Sequence, residues 1–149
     1  MRVIRPVVLL VLFGAGACSE PPKLGVMNAL VSDLSNMRTW DPVLHGKGFD
    51  AYDQVMGFGP EIFPVMVSNL INEGPTAIYD EMSQRNPCIA DVVFFMLLDL
   101  TNHKWQDFAS EGVFVSTALP NPVFCLKWDR AAKFKVKVKF RKLLELDDK

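Results

Sequence analysis

Cysteine and histidine are scarce in this sequence: three cysteines (Cys18, Cys88, Cys125) and two histidines (His45, His103) in 149 residues. No two cysteines form a Cys-x-x-Cys pair, so with so few imidazoles neither a zinc site nor any other metal site is expected. No apolar run reaches the roughly 20 residues that cross a bilayer core, which argues against a mature transmembrane helix. There is no Gly-x-Ser-x-Gly elbow to present a nucleophile. Gly57-x-Gly59 is followed by Pro60, which has no amide to offer a phosphate, so no nucleotide loop forms there. No repeat of fixed period aligns, and the net charge of −1 points to neither a nucleic acid nor an acidic partner. These absences leave no cofactor to expect and no catalytic constellation of a recognised kind.

What is present begins at the N-terminus. Arg2 and Arg5 precede an apolar run from Val7 to Phe13, then the small residues Gly14 to Ala17, then Cys18. That is the charged, apolar and small-residue order of a secretory signal. Ala15-Gly16-Ala17-Cys18 resembles the lipobox of bacterial lipoproteins, with Ala15 where that family usually has Leu. The resemblance implies lipidation of the Cys18 thiol, cleavage before it and acylation of the new amino group. Two or more acyl chains make a lasting membrane anchor. In family terms Ser19 is not the aspartate that retains such proteins in the inner membrane, so a double-membraned source would place the chain in the outer membrane. The expected division is a signal peptide at 1–17, a lipidated tether at 18–23 stiffened by Pro21 and Pro22, and one domain at 24–149 facing the periplasm or exterior.

Charge is unevenly spread. Residues 20–126 carry 13 acids against 5 basic residues, while 127–149 carry 9 basic residues against 4 acids. The basic end either pairs with the acidic body or presents a face to anionic lipid; an envelope location argues against nucleic acid. With Cys18 acylated in an oxidising compartment, Cys88 and Cys125 either form one disulfide, which would add roughly 3–4 kcal/mol on the chain-entropy model, or remain separate buried thiols.

Periodicity predicts a mainly α architecture. Leu24, Met27, Leu30, Val31 and Leu34 recur at helical spacing to about Met37. Arg38 to Gly48 is a loop with turn chemistry. Two short helices follow, the first capped by Asp50 over Ala51–Phe58, the second opened by Pro60 with Pro64 near its first turn. Thr76 to Gln84 reads as either helix or extended chain. Asn86-Pro87 opens the strongest helix, Cys88 to about Thr101, which is apolar almost all round and is expected at the centre of the core. Val113–Val115 and Val123–Leu126 are β-prone runs. Residues 133–141 alternate Lys or Arg with apolar residues as a strand would, but Asp129 as a cap and Ala131-Ala132 favour a helix, and helix is the reading preferred. The fold expected is therefore a small mainly α domain with a short β element in residues 113–141. The joined helix pair and the run Ile89-Ala90-Asp91-Val92-Val93-Phe94-Phe95 resemble HEAT-type helical repeats over residues 49–101, which implies a packing style and a tendency to bind proteins, and no catalytic residues.

Two ionisable residues stand out as candidate acid or base groups. Asp91 lies in an apolar helix, where it is either a carboxylate of raised pKa or, preferably, a first-turn acid held by exposed amides. His45 is near Asp41, which could orient it as a base; a surface-loop histidine is the simpler reading. Asp50 and Asp53 fit a cap and its first-turn acid better than a glycosidase pair. Asp99 and His103 are spaced to pair across one helical turn. The functional expectation is a lipid-anchored envelope protein with a protein partner; the alternatives are an immunity or inhibitor protein against an envelope hydrolase, or a small envelope hydrolase using His45 or Asp91.

Overall fold

In the computed structural model, residues 22–79, 81, 85–116 and 121–146 are described, so the signal, Cys18 and the residues joining them to Pro22 lie outside the described residues. The chain is mainly helical with a small two-stranded antiparallel sheet. Helix α1 spans Pro22–Asp33 and tightens into a 3₁₀ turn at Leu34–Asn36. It buries Met27, Val31 and Leu34, the stripe predicted by its spacing. Helix α2, Asp50–Gly57, buries Ala51, Tyr52 and Val55 and lies chiefly against α1. Asp50 is its first helical residue and does not cap it. Instead Asp53 reaches back to the Gly48 amide at 3.0 Å, because the turn before α2 runs through Gly48 at φ +94°.

A 3₁₀ turn at Gly59–Ile62 leads into α3, Phe63–Ser68, where Pro64 sits in the first turn and removes no hydrogen bond the helix needs. Helix α4, Ile89–Thr101, is the centre of the core: every residue from Ile89 to Leu98 is buried. Its start falls later than the Asn86-Pro87 pair predicted. The Asp91 carboxylate accepts the Cys88 amide at 3.0 Å, and that reciprocal contact makes Cys88 the cap. Asn102, in the left-handed region at φ +53°, ends the helix.

After a 3₁₀ stretch at Trp105–Glu111, strand β1 (Phe114–Val115) pairs with β2 (Leu126–Lys127), Phe114 facing Lys127 and Val115 facing Leu126. Helix α5, Pro122–Cys125, takes most of the second β-prone run, since the Asn121 side chain accepts the Val123 amide at 3.3 Å and starts a helical turn. Residues 133–141 are helical, within α6, Arg130–Leu143. Asp129 caps it by accepting the Ala132 amide at 2.7 Å. Val136 and Phe140 are buried on one side, and Phe140 stacks on Phe108 with ring centroids 4.6 Å apart. The strand-like alternation leaves Phe134 on the outside.

One core joins these elements, from Met27 to Phe140. Phe94 sits in its middle, with Phe95, Phe108, Trp128 and Phe140 around it. Burying each such ring contributes about 1.5–3 kcal/mol relative to leaving it in water. Among the described residues no helix is long and apolar enough to cross a membrane.

Candidate functional site

The two candidate acid or base residues meet α4 at opposite ends, Asp91 within its first turn and His45 through Asp99 in its last, and differ in access to water. Asp91, in the first turn, is fully buried. One carboxylate oxygen accepts the Cys88 amide and the Arg85 guanidinium, each at 3.0 Å. The other accepts the Trp128 indole N–H at 2.7 Å. Arg85 also donates to the Leu126 carbonyl. The carboxylate therefore joins α4, the segment before it and the end of the small sheet. Three donors on its two oxygens, one of them the Cys88 amide at the helix start, fit the reading as a first-turn acid.

Beside it lies a second buried charge. Lys133 of α6 places Nζ 3.3 Å from Glu73 Oε1, 3.6 Å from the Cys88 sulfur and 5.7 Å from the centroid of the Trp128 ring. A lysine and a helix N-terminus both favour a thiolate, yet burial, with the Asp91 charge next, pushes the Cys88 thiol up from its ordinary value. Burial thus favours the neutral thiol of Cys88 over its thiolate. Cys88 and Cys125 are both thiols and no disulfide joins them; Cys125 is buried in α5.

His45 stands on the loop between α1 and α2. Its acid is Asp99 in the last turn of α4, with Nδ1 2.5 Å from Oδ2, and not Asp41. Asp41 is hydrogen-bonded to His45 through the backbone only: each amide donates to the other's carbonyl, at 2.8 and 2.9 Å. The Asp41 side chain instead accepts the amides of Val43 at 2.8 Å and Leu44 at 2.7 Å. These two bonds, Leu44 first, hold its carboxyl below the usual carboxylate range despite some opposing desolvation, with the nearby His45 adding to the shift. Asp99 and His103 do not pair. His103 Nδ1 lies 3.0 Å from the Thr101 carbonyl, and its ring packs edge-on to Phe108, because the left-handed turn at Asn102 carries it away from the helix face.

The His45 imidazole is gripped on several sides. Trp40 stacks on it at 4.9 Å and 14°, and Phe95 meets it at 6.1 Å. Tyr52 directs its hydroxyl to the same Asp99 oxygen at 3.5 Å. Burial and the Asp99 charge raise the Tyr52 phenol well above its ordinary range, so it is a hydrogen-bond donor at every physiological pH. His45 itself has a left-handed backbone, φ +54°, which a non-glycine residue holds only when its surroundings require it. Gly46 is buried against the Tyr52 ring, and a Cβ there would overlap the ring and stand 2.8 Å from Met37 Sδ. The Trp40 indole N–H is buried with no hydrogen-bond partner among the described residues, so packing alone positions the ring.

These contacts surround a loop tip that is itself apolar and in solvent: Val43 is 81% exposed and Leu44 57%. Sequence reasoning picked out His45 and missed the residues that hold it, Trp40, Tyr52 and Asp99, and the two that the loop displays. The signal for the display was present in Asp41-Pro42-Val43-Leu44-His45-Gly46, an apolar pair inside turn chemistry. The signal for Asp99 was an acid breaking the apolar run of α4. Among the described residues no cluster of three or more His, Cys, Asp or Glu side chains could hold a metal. No protein-family model, curated protein or solved structure matches the chain.

Proposed function

We propose that this chain is a lipid-anchored envelope protein that works by binding a protein partner, with the loop Trp40–His45 as its contact element. The observation that carries the reading is the pairing of exposure with bracing. Two aliphatic side chains stand in water at a tip whose backbone is tied by Asp41, whose base is clamped to α4 through His45 and Asp99, and whose neighbour Gly46 is wedged against Tyr52. A loop already ordered loses little conformational entropy on docking, and that lowers the free-energy cost of association. Each aliphatic side chain that leaves water for an apolar pocket on the partner contributes about 1.5–3 kcal/mol when fully buried.

The test is parallel capture from envelope extract with residues 19–149, native and carrying Val43→Asp with Leu44→Asp. A protein retained by the native chain through a high-salt wash and absent from the variant is the expected outcome. Equal retention by both, or none by either, removes the reading. If the retained protein is an envelope hydrolase, the chain is its inhibitor or immunity partner. The anchor is tested separately by the intact mass of the membrane-purified chain, which must begin at Cys18 and carry acyl mass.

A second reading, a small hydrolase, is favoured by one observation. With Nδ1 facing a carboxylate, Nε2 is the imidazole nitrogen left for proton transfer, which is the layout of a carboxylate-oriented base. The same loop variants separate the two. A hydrolase loses its activity with His45→Gln and keeps it with Val43→Asp and Leu44→Asp; a binding protein shows no such activity and loses its partner with the tip.

A further inference from the structure

Helix α6 spends one face on the core through Ala132, Val136 and Phe140. On the face left outside, Phe134 is 59% exposed. Four residues on, Val138 lines the same groove, of about 470 Å³, together with Lys135, Lys139 and Lys142. A second hollow, which shares Glu111 and Lys135 with the first, continues past exposed Phe114 and Lys127. The lysines differ in how they are used. Lys139 is held by Glu111 at 3.1 Å and by the Asp107 carbonyl. Lys127, Lys135 and Lys142 make no ion pair among the described residues.

Two exposed phenyl rings and a valine among three ammonium groups that make no ion pair among the described residues suit a particular surface. Rings gain free energy on entering the boundary between headgroups and acyl chains, while lysines extend their stems and leave their charges at the anionic headgroups. An acidic protein partner is the weaker fit, because lysine is depleted at protein interfaces, which favour arginine and aromatic anchors. We infer that the outer face of α6, with Phe114 and Lys127 beside it, docks on an anionic phospholipid surface as a contact of its own, separate from any acyl anchor and from the Val43–Leu44 loop. Such a contact would fix which way the domain faces on a membrane, something an acyl chain on a tether does not do.

The test uses residues 19–149, which contain the whole core from Met27 to Phe140 and lack the N-terminal apolar run. Flotation with phosphatidylcholine vesicles, with and without phosphatidylglycerol, should give binding only when the anionic lipid is present, weakening as salt rises. Each basic side chain near such a surface is worth a factor of about five in affinity. Lys135→Glu with Lys142→Glu should therefore lower it by more than about twentyfold, and Phe134→Ser by about tenfold. All three changes are at exposed positions, so circular dichroism melts should match the native chain. No binding to anionic vesicles, equal binding to neutral ones, or variants that bind as well as native would each overturn the inference. A dimer in sedimentation velocity that Phe134→Ser dissolves would overturn it too, by assigning the face to a second copy.

Discussion

Asp91 and Asp99 stand in the first and last turns of the same helix, and each holds a distant part of the chain. Asp91 is sealed: its partners Arg85, Cys88 and Trp128 leave it no path to water, and its work is to keep α4, the segment before it and the small sheet together. Asp99 lies in the water-facing turn and steadies His45, and through it a loop with an apolar tip. The same side chain serves stability at one end and display at the other. Depth decides which. A carboxylate removed from water must be saturated by donors to exist there at all, whereas one at the rim can afford to place a single partner.

The sharpest way to break this contrast is Asp91→Ala, which takes the acceptor from the Trp128 N–H and the ion-pair partner Asp91 from the Arg85 guanidinium. Since Arg85 is itself 38% exposed and can recover some solvation, the loss should be about 3 kcal/mol, at the low end for a broken buried pair. Urea unfolding should show it as a lower midpoint at an unchanged slope. Gly46→Ala comes next: its methyl must displace Tyr52 or Met37, and overpacking of this kind costs about 2 kcal/mol. It should also loosen the loop, read as faster amide exchange at Val43 and Leu44. Asp99→Ala should cost about 1 kcal/mol or less, because the pair reaches solvent, while weakening partner capture by more than the stability change accounts for. If Asp99→Ala matched Asp91→Ala in stability, the division between a sealed and a displayed end would fail.

The smallest effect is a pH dependence of the loop. The Asp41 carboxyl titrates below its unfolded value because the Leu44 and Val43 amides bind its ionised form. The stabilisation is therefore complete above the unfolded value of about 3.9 and is lost as pH falls through the lower folded value. Exchange at those two amides, corrected for its intrinsic pH dependence, should accelerate only in that acid window. Acceleration that begins near neutrality would mean that another group controls the tip.

Much of the fold was legible because helices are specified locally. The Met27–Val31–Leu34 stripe, the apolar run of α4 and the Asp129 cap of α6 each depend on residues three or four apart, and such spacing is visible in the chain. The capping of α4 was less so, since Cys88 is an unusual cap residue and the Asn86-Pro87 pair offered a more ordinary one. Of the candidate site, His45 and Asp91 were visible as polar residues in telling surroundings, but their partners were not. Asp41 is near His45 in sequence, and local reasoning assigns the nearest acid; packing instead brings α4 beside the loop and commits Asp41 to the Val43 and Leu44 amides.

By itself, then, the sequence determined a mainly helical chain, a central apolar helix ending near Thr101 and a basic helix at the end, because hydrogen-bonded turns and apolar stripes are properties of short segments. Only the tertiary structure decided that Asp91 meets Arg85 and Trp128, that Asp99 serves His45, and that Phe134 faces water while Phe140 meets Phe108. Those outcomes depend on which surfaces meet when the helices pack, and residues far apart in the chain become neighbours only when one core has to be filled.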